Sequence, residues 1–346
     1  MCRWFSYISN TETCLLEDVL IVPAHALSKQ VENHYLPKLL HHDPNDPLHT
    51  TKAEIALRNK FFNADGLGVA WYGTTALEFG DADGPRPTLY KIVKQPLLDP
   101  NFHSICANTS TRALFAHIRF ASGSTAITET NNHPFVLGRW SFMHNGSIAE
   151  FQKIKKLMSL EASDKIFEDF VKGTTDSEYL AAIVFSYVAQ ETGDWGLEED
   201  HDVVLVKKCV ERAISKVIEF QKSVLPQRGI PLPLPPNSLN LALTSGTQLL
   251  TCRFRNHPTE QPPSLYYSTT AGVVLNRKYP GHPDGKHLES LGKGELKDPE
   301  EHGSHLIVAS EPSTYDEKHW ELIGKNEWVY VGVDMELKKE PMNIVL

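Results

Sequence analysis

The chain has 346 residues, 41% of them hydrophobic and 22% charged, which is ordinary for a globular protein with a sizeable core and allows either two domains or one large domain with insertions. Its net charge is -9 and no Lys/Arg-rich run occurs, which argues against a nucleic-acid or anionic-membrane surface. There is no run of about 20 apolar residues and no basic-then-apolar leader, and the five cysteines, odd in number and without a C-x-x-C pair, make neither a disulfide framework nor a zinc set; a cytoplasmic protein is expected.

Cys2 stands directly behind the initiator methionine. Cysteine is small, so Met1 is expected to be trimmed, leaving one residue with both a thiol and an α-amine. A thiol is a good nucleophile but mostly protonated at neutral pH; an α-amine, titrating at about 7.7–8.0, is a base suited to it. The alternative is a cysteine near the start by chance. Residues 2–8, CRWFSYI, read as a strand beginning at this cysteine. Residues 41–60, opening HHDPNDPLH, are polar and Pro-rich and read as an exposed loop. GLGVAWYG (66–73) reads as a buried strand, TLYKIVKQ (88–95) as its alternating neighbour, RALFAHIRFAS (112–122) as an apolar strand and RWSFMHNG (139–146) as another running into a turn. Helices follow. Thr175 with Glu178 forms a capping box, after which Leu180, Ile183, Val184, Tyr187 and Val188 recur at helical spacing. Val203, Val206, Val210, Ala213, Ile214 and Val217 mark a second long helix, and the Pro-rich 224–238 a connector. The last third returns to strands (LNLALTS, QLLTCRFR, SLYYSTT, HLIVAS, WVYVGVDM) around a surface loop at 276–304 rich in Gly, Pro, Lys and Glu. The order lacks strict βαβ alternation, which argues against a doubly wound parallel sheet; two largely antiparallel sheets packed together, with helices outside, fit it.

Four stretches beside Cys2 carry chemistry. In AHIRFAS, Arg119 lies near the end of an apolar strand, where a charge is costly unless it meets an anion; it grips a carboxylate or else points to solvent. In MHNGS, the Asn145 amide and the Gly146 N–H are the two donors an oxyanion hole needs, although Asn-Gly is also a common turn. In GTTDSE, Asp176 sits in the first helical turn, where the dipole favours an anion; it could also hold a substrate ammonium. In NADGLGVA, Gly66 and Gly68 lack the third glycine of a dinucleotide fingerprint and open no helix, so NAD binding is rejected and close packing beside another strand is expected. His133 in NNHPF orders a site loop or caps a strand. His41, His42 and His49 have neither i,i+4 spacing nor a clean carboxylate partner, so no metal or cofactor is expected.

Cys2, R-x-x-[ST] at Arg119–Ser122, N-x-H-P at Asn131–Pro134, H-N-G at His144–Gly146 and T-D-S-E at Thr175–Glu178, in this order, resemble the class II glutamine amidotransferases of the N-terminal nucleophile hydrolase superfamily. MCR at the start, DGLGVAWY, the H-N-G strand and ASEPSTYDEKHW resemble in particular the amidotransferase-like subunits of fungal glutathione-degradation complexes. The bacterial γ-glutamyl hydrolase of ergothioneine synthesis is also similar. The resemblance implies an α+β fold, an αββα sandwich of two mainly antiparallel sheets covered by helices, as one domain over 1–346 with loop insertions near 41–60, 224–238 and 276–304. It implies that Cys2 attacks a γ-glutamyl amide while its α-amine shuttles the proton. Asn145 and Gly146 would hold the oxyanion, Arg119 helped by Ser122 the α-carboxylate, and Asp176 the α-ammonium, with His133 and His144 in support. No synthase-length segment follows the motifs. Hydrolysis of glutathione to glutamate and cysteinylglycine, beside a peptidase-like partner subunit, is therefore expected. The alternatives are a glutaminase delivering ammonia to a separate synthase and a non-catalytic scaffold subunit.

Overall fold

Along the first strand, β1 (Arg3–Ser9), Trp4, Ser6 and Ile8 alternate with Phe5 and Tyr7, and every residue is buried, so both faces of the strand must be covered. The structure is a computed structural model and describes residues 2–31, 65–121, 125–282, 296–314 and 316–345. The further strands are β2 (Cys14–Leu15), β3 (Leu67–Gly73), β4 (Arg86–Ile92), β5 (Ser110–Thr111), β6 (Ala113–Ile118), β7 (Phe135–Leu137) and β8 (Trp140–Ser147). After the main helices come β9 (Ser238–Thr244), β10 (Leu249–Arg255), β11 (Tyr266–Ser268), β12 (His305–Ala309), β13 (Glu321–Leu322), β14 (Glu327–Val331) and β15 (Leu337–Pro341). One sheet has seven strands in the order β13-β11-β12-β1-β6-β3-β4, the other six in the order β15-β14-β10-β9-β8-β7, and β2 pairs with β5 as a separate ribbon. Neighbours are antiparallel throughout.

The alternation of side chains sorts the core into three layers. Trp4, Ile8, Ala70 and Phe115 of the first sheet meet Met143, Ala242 and Val329 of the second. On the outer face of the first sheet, Phe5, Tyr7, Leu114 and Ile307 pack under Leu16, Val19 and Phe102. On the outer face of the second, Phe142, Leu241, Cys252 and Trp328 pack under the helices Phe151–Glu161, Asp164–Phe170, Asp176–Thr192 and Val203–Val224. Helices thus cover two face-to-face antiparallel sheets, the α+β sandwich of the sequence analysis.

Local structure departs from the sequence expectation in four places. The strand expected over 112–122 ends at Ile118, where Arg119 leaves the ladder and donates its N–H to Gly66 O at 2.7 Å. The capping box is half formed. Thr175 Oγ1 accepts from Glu178 N, but the Glu178 carboxylate turns to the N–H groups of Lys172 and Gly173, at 2.9 and 2.7 Å, and so satisfies two donors instead of one. Gly68 packs closely against the loop before β7 and not against a strand: a Cβ there would lie 1.8 Å from His133 O. The helix Phe151–Glu161 and the strands β13 and β15 were not anticipated, although Phe151, Ile154 and Met158 do bury one helical face. The loop at 41–60, with His41, His42 and His49, lies outside the described residues, as do residues 283–295 of the loop at 276–304.

Candidate active site

Cys2 heads the central strand of the first sheet and is half-buried, whereas Cys14, Cys106, Cys209 and Cys252 are buried. Arg3 pairs with Ile118, which brings the end of β6 alongside the cysteine. Phe120 N donates to Cys2 Sγ at 3.3 Å, and the thiol reaches Phe120 O at 3.6 Å. The contact suits either protonation state: the thiol donates to the carbonyl, and a thiolate accepts from the N–H. Burial pushes the Cys2 thiol up, opposed by the Phe120 N–H and the charges of Arg119 and Arg3. A thiol held protonated in this way needs a base before it can attack.

A ring of contacts links the residues singled out in the sequence. Arg119 is buried, and its Nη1 donates to Ala126 O at 2.9 Å. The same carbonyl accepts from Asn131 Nδ2 at 3.0 Å, and Asn131 Oδ1 accepts from Thr174 N at 2.8 Å. Two residues on, Asp176 begins its helix; its Oδ2 accepts from Ile148 N at 2.7 Å and its Oδ1 from Ser177 N at 2.9 Å. Ile148 follows the Asn145–Gly146 end of β8. The ring closes where His117 Nε2 meets His144 O at 3.3 Å, joining the two sheets just behind the site. Burial pulls the Arg119 guanidinium down, opposed by the charges of Cys2 and Asp65. Among the described residues, Ala126 O is the one hydrogen-bond acceptor its guanidinium meets. The Asn145 amide is buried and makes no hydrogen bond to a described residue. Gly146 takes φ +152°, and a Cβ there would lie 1.8 Å from Ser238 O, so glycine is required. Ser122 lies outside the described residues.

The histidines lie behind these groups. His144 Nδ1 meets Ser177 Oγ at 2.8 Å and its Nε2 meets Ser238 O at 3.2 Å. His133 packs its ring against His117 and Phe135, with centroids 4.2 and 4.6 Å apart, and neither of its nitrogens has a partner among the described residues, so it acts by packing and not as a hydrogen-bonding cap. Burial pushes all three imidazoles down, His117 to about 3. Among the described residues no group of three His, Cys, Asp or Glu side chains converges as a metal site.

Two features escaped sequence reasoning. Asn131 was noticed only as part of a motif, yet it couples the Arg119 loop to the Asp176 turn. Arg3 and Glu311 form a buried ion pair, Nε to Oε1 at 2.7 Å, with His25 Nε2 on the other carboxylate oxygen at 3.0 Å. Arg3 Nη1 also donates to Cys2 O at 3.2 Å, which ties the pair to the nucleophile's own backbone. The available signal was the MCR start together with the late ASEP stretch.

Fold and sequence place the chain with the class II glutamine amidotransferases, as a hydrolase-like member. The solved structure of a glutamine aminotransferase class-II domain protein from Silicibacter pomeroyi matches with a TM-score of 0.58 at 19% identity, covering 99% of each chain, and shows the same fold. The particular likeness in sequence is to the probable glutamine amidotransferase DUG3 of Saccharomyces cerevisiae, 27% identical over 329 residues, 94% of this chain and 80% of that one. The chain is also 29% identical over 181 residues to the glutamine–fructose-6-phosphate aminotransferase (isomerizing) of Gluconobacter oxydans, 52% of this chain and 26% of that protein. No family model matches the sequence. Among the described residues no helix is long and apolar enough to cross a membrane.

Proposed function

We propose that the chain hydrolyses γ-glutamyl amide bonds with Cys2 as nucleophile, once Met1 has been removed. The observation that carries this reading is the contact ring, which gathers a thiol, a buried guanidinium, a carboxylate and an unpaired amide at one end of the sheets. In this reading the α-amine of Cys2 takes the thiol proton, and Sγ adds to the γ-carbonyl. Asn145 Nδ2 and Gly146 N–H stabilise the oxyanion. The intermediate collapses, the C–N bond breaks, and the leaving amine takes the proton from the α-amine. Water, deprotonated by the same amine, then opens the thioester and releases glutamate. Arg119 binds the α-carboxylate and Asp176 the α-ammonium.

The substrate in this proposal is glutathione, cleaved to glutamate and cysteinylglycine in the cytoplasm beside a peptidase-like partner subunit. This part rests on the resemblance of MCR, DGLGVAWY and ASEPSTYDEKHW to the fungal glutathione-degradation subunits. The match to an aminotransferase named for glutamine favours a second reading, a glutaminase that supplies ammonia. Glutamate release from glutathione and from glutamine, with and without a co-expressed partner, separates the two. Glutathione cleavage that outpaces glutamine hydrolysis supports the first. Rapid glutamine hydrolysis by the lone chain, with glutathione untouched under every condition, overturns it.

A further inference from the structure

Two buried amides oppose each other across the β8–β9 ladder, and each lacks a partner. Asn145 and Asn240 are directly paired residues. Both lie on the face between the sheets, because Met143 and Ala242, two residues along each strand, belong to the interlayer core while Phe142 and Leu241 pack under the helices. Directly opposed residues of antiparallel strands hold their Cβ atoms about 4.5–5.5 Å apart, within reach of two amide side chains. Asn240 Nδ2 donates to Pro263 O at 3.0 Å and to Ser264 O at 3.3 Å. Two carbonyls can face only the nitrogen end, so the orientation of this amide is fixed. Its Oδ1 is turned away from them, is buried, and has no partner among the described residues. A buried acceptor without a donor is unfavourable, and the Asn145 amide beside it is the uncommitted donor.

We propose that Asn240 is a positioning residue: its Oδ1 accepts one Nδ2 hydrogen of Asn145 and so aims the other at the oxyanion. The argument is directional. An unrestrained Asn145 amide would present oxygen as readily as nitrogen, and an oxygen beside a forming oxyanion repels it. Asn240 Oδ1 can only accept, so it selects the nitrogen end of Asn145. The selection is anchored one step further back, where Arg253 holds the same loop through Nε to Pro263 O at 2.9 Å and Nη2 to Pro262 O at 3.0 Å. The catalytic consequence rests on the proposed role of Asn145; the contact between the two amides does not.

The test is a double-mutant cycle on glutamate release, paired with NMR. Asn240→Ala is expected to lower kcat about tenfold with KM little changed, and to cause no further loss in an Asn145→Ala background. Equal losses in both backgrounds, or an effect on KM alone, overturn the proposal. Independently of turnover, the side-chain amide signal of Asn145, identified by its loss in Asn145→Ala, should show one slowly exchanging proton in the wild-type protein that becomes fast in Asn240→Ala. If Asn240→Ala does not fold, the wild-type signal decides, and two equally fast protons overturn the contact. A slow proton in a wild-type protein that releases no glutamate supports the contact and removes the catalytic role of Asn145.

Discussion

Glutamine in place of Glu311 perturbs the anchor of the strand that carries Cys2. Burial alone would push this carboxyl up, but the Arg3 guanidinium and the His25 ring more than reverse that and bring it from 4.5 down to about 2. A difference of that size corresponds to on the order of 3 kcal/mol. It agrees with the roughly 3–5 kcal/mol expected when one partner of a buried pair is removed. At about 2.1 cal/mol/K of unfolding entropy per residue, a chain of this length should lose about 4 °C in Tm. The pH dependence supplies a sharper signature. The folded carboxyl is depressed, so its contribution is whole above about 4.5 and is lost as pH falls through about 2. The stability gap between wild type and Glu311→Gln, measured by urea unfolding, should be full at neutral pH and less than half as large by about pH 3. A gap that stays constant over this range, or no gap at neutral pH, would refute the reasoning.

Asn145→Ala should lower kcat by about 10²–10³, the usual loss for one oxyanion donor, and an unchanged kcat would reduce the H-N-G stretch to a turn. Asp176→Asn should mainly raise KM for γ-glutamyl substrates; a loss confined to kcat would take Asp176 out of ammonium binding. His117 is held neutral in the fold down to about 3 against an ordinary value of 6.5, so the unfolded chain takes up the proton first and stability should fall as pH drops through that window. An NMR titration should find the His117 ring uncharged above about pH 4, and a midpoint near its ordinary value would contradict the buried packing against His133.

The strands were legible because a covered strand writes itself as a compact apolar run: Leu114, Phe115 and Ala116 of β6, or Leu241, Ala242 and Leu243 of β9, need no partner to be recognised. The site residues were legible as motifs but their couplings were not, since register is invisible in spacing. Nothing local announces that Asn240 faces Asn145, or that Arg3 pairs with a carboxylate 308 residues away. Glu178 shows how a local rule yields: its spacing to Thr175 promised a capping box, and the nearby N–H groups of Lys172 and Gly173 drew the carboxylate instead. His133 likewise looked like a hydrogen-bonding residue and serves as packing, because it lies between other rings.

The central claim is that Cys2, with its own α-amine, is the nucleophile toward a γ-glutamyl carbonyl. The most direct measurement is intact mass and peptide mapping of active protein treated with a glutamine analogue bearing an electrophilic ketone in place of the carboxamide. The account predicts an N-terminal peptide that begins at Cys2, carries a single adduct, and accumulates in step with the loss of glutamate release, while Cys14, Cys106, Cys209 and Cys252, all buried, remain unmodified. Full activity in protein that retains Met1, or inactivation with the adduct on any other residue, would contradict it.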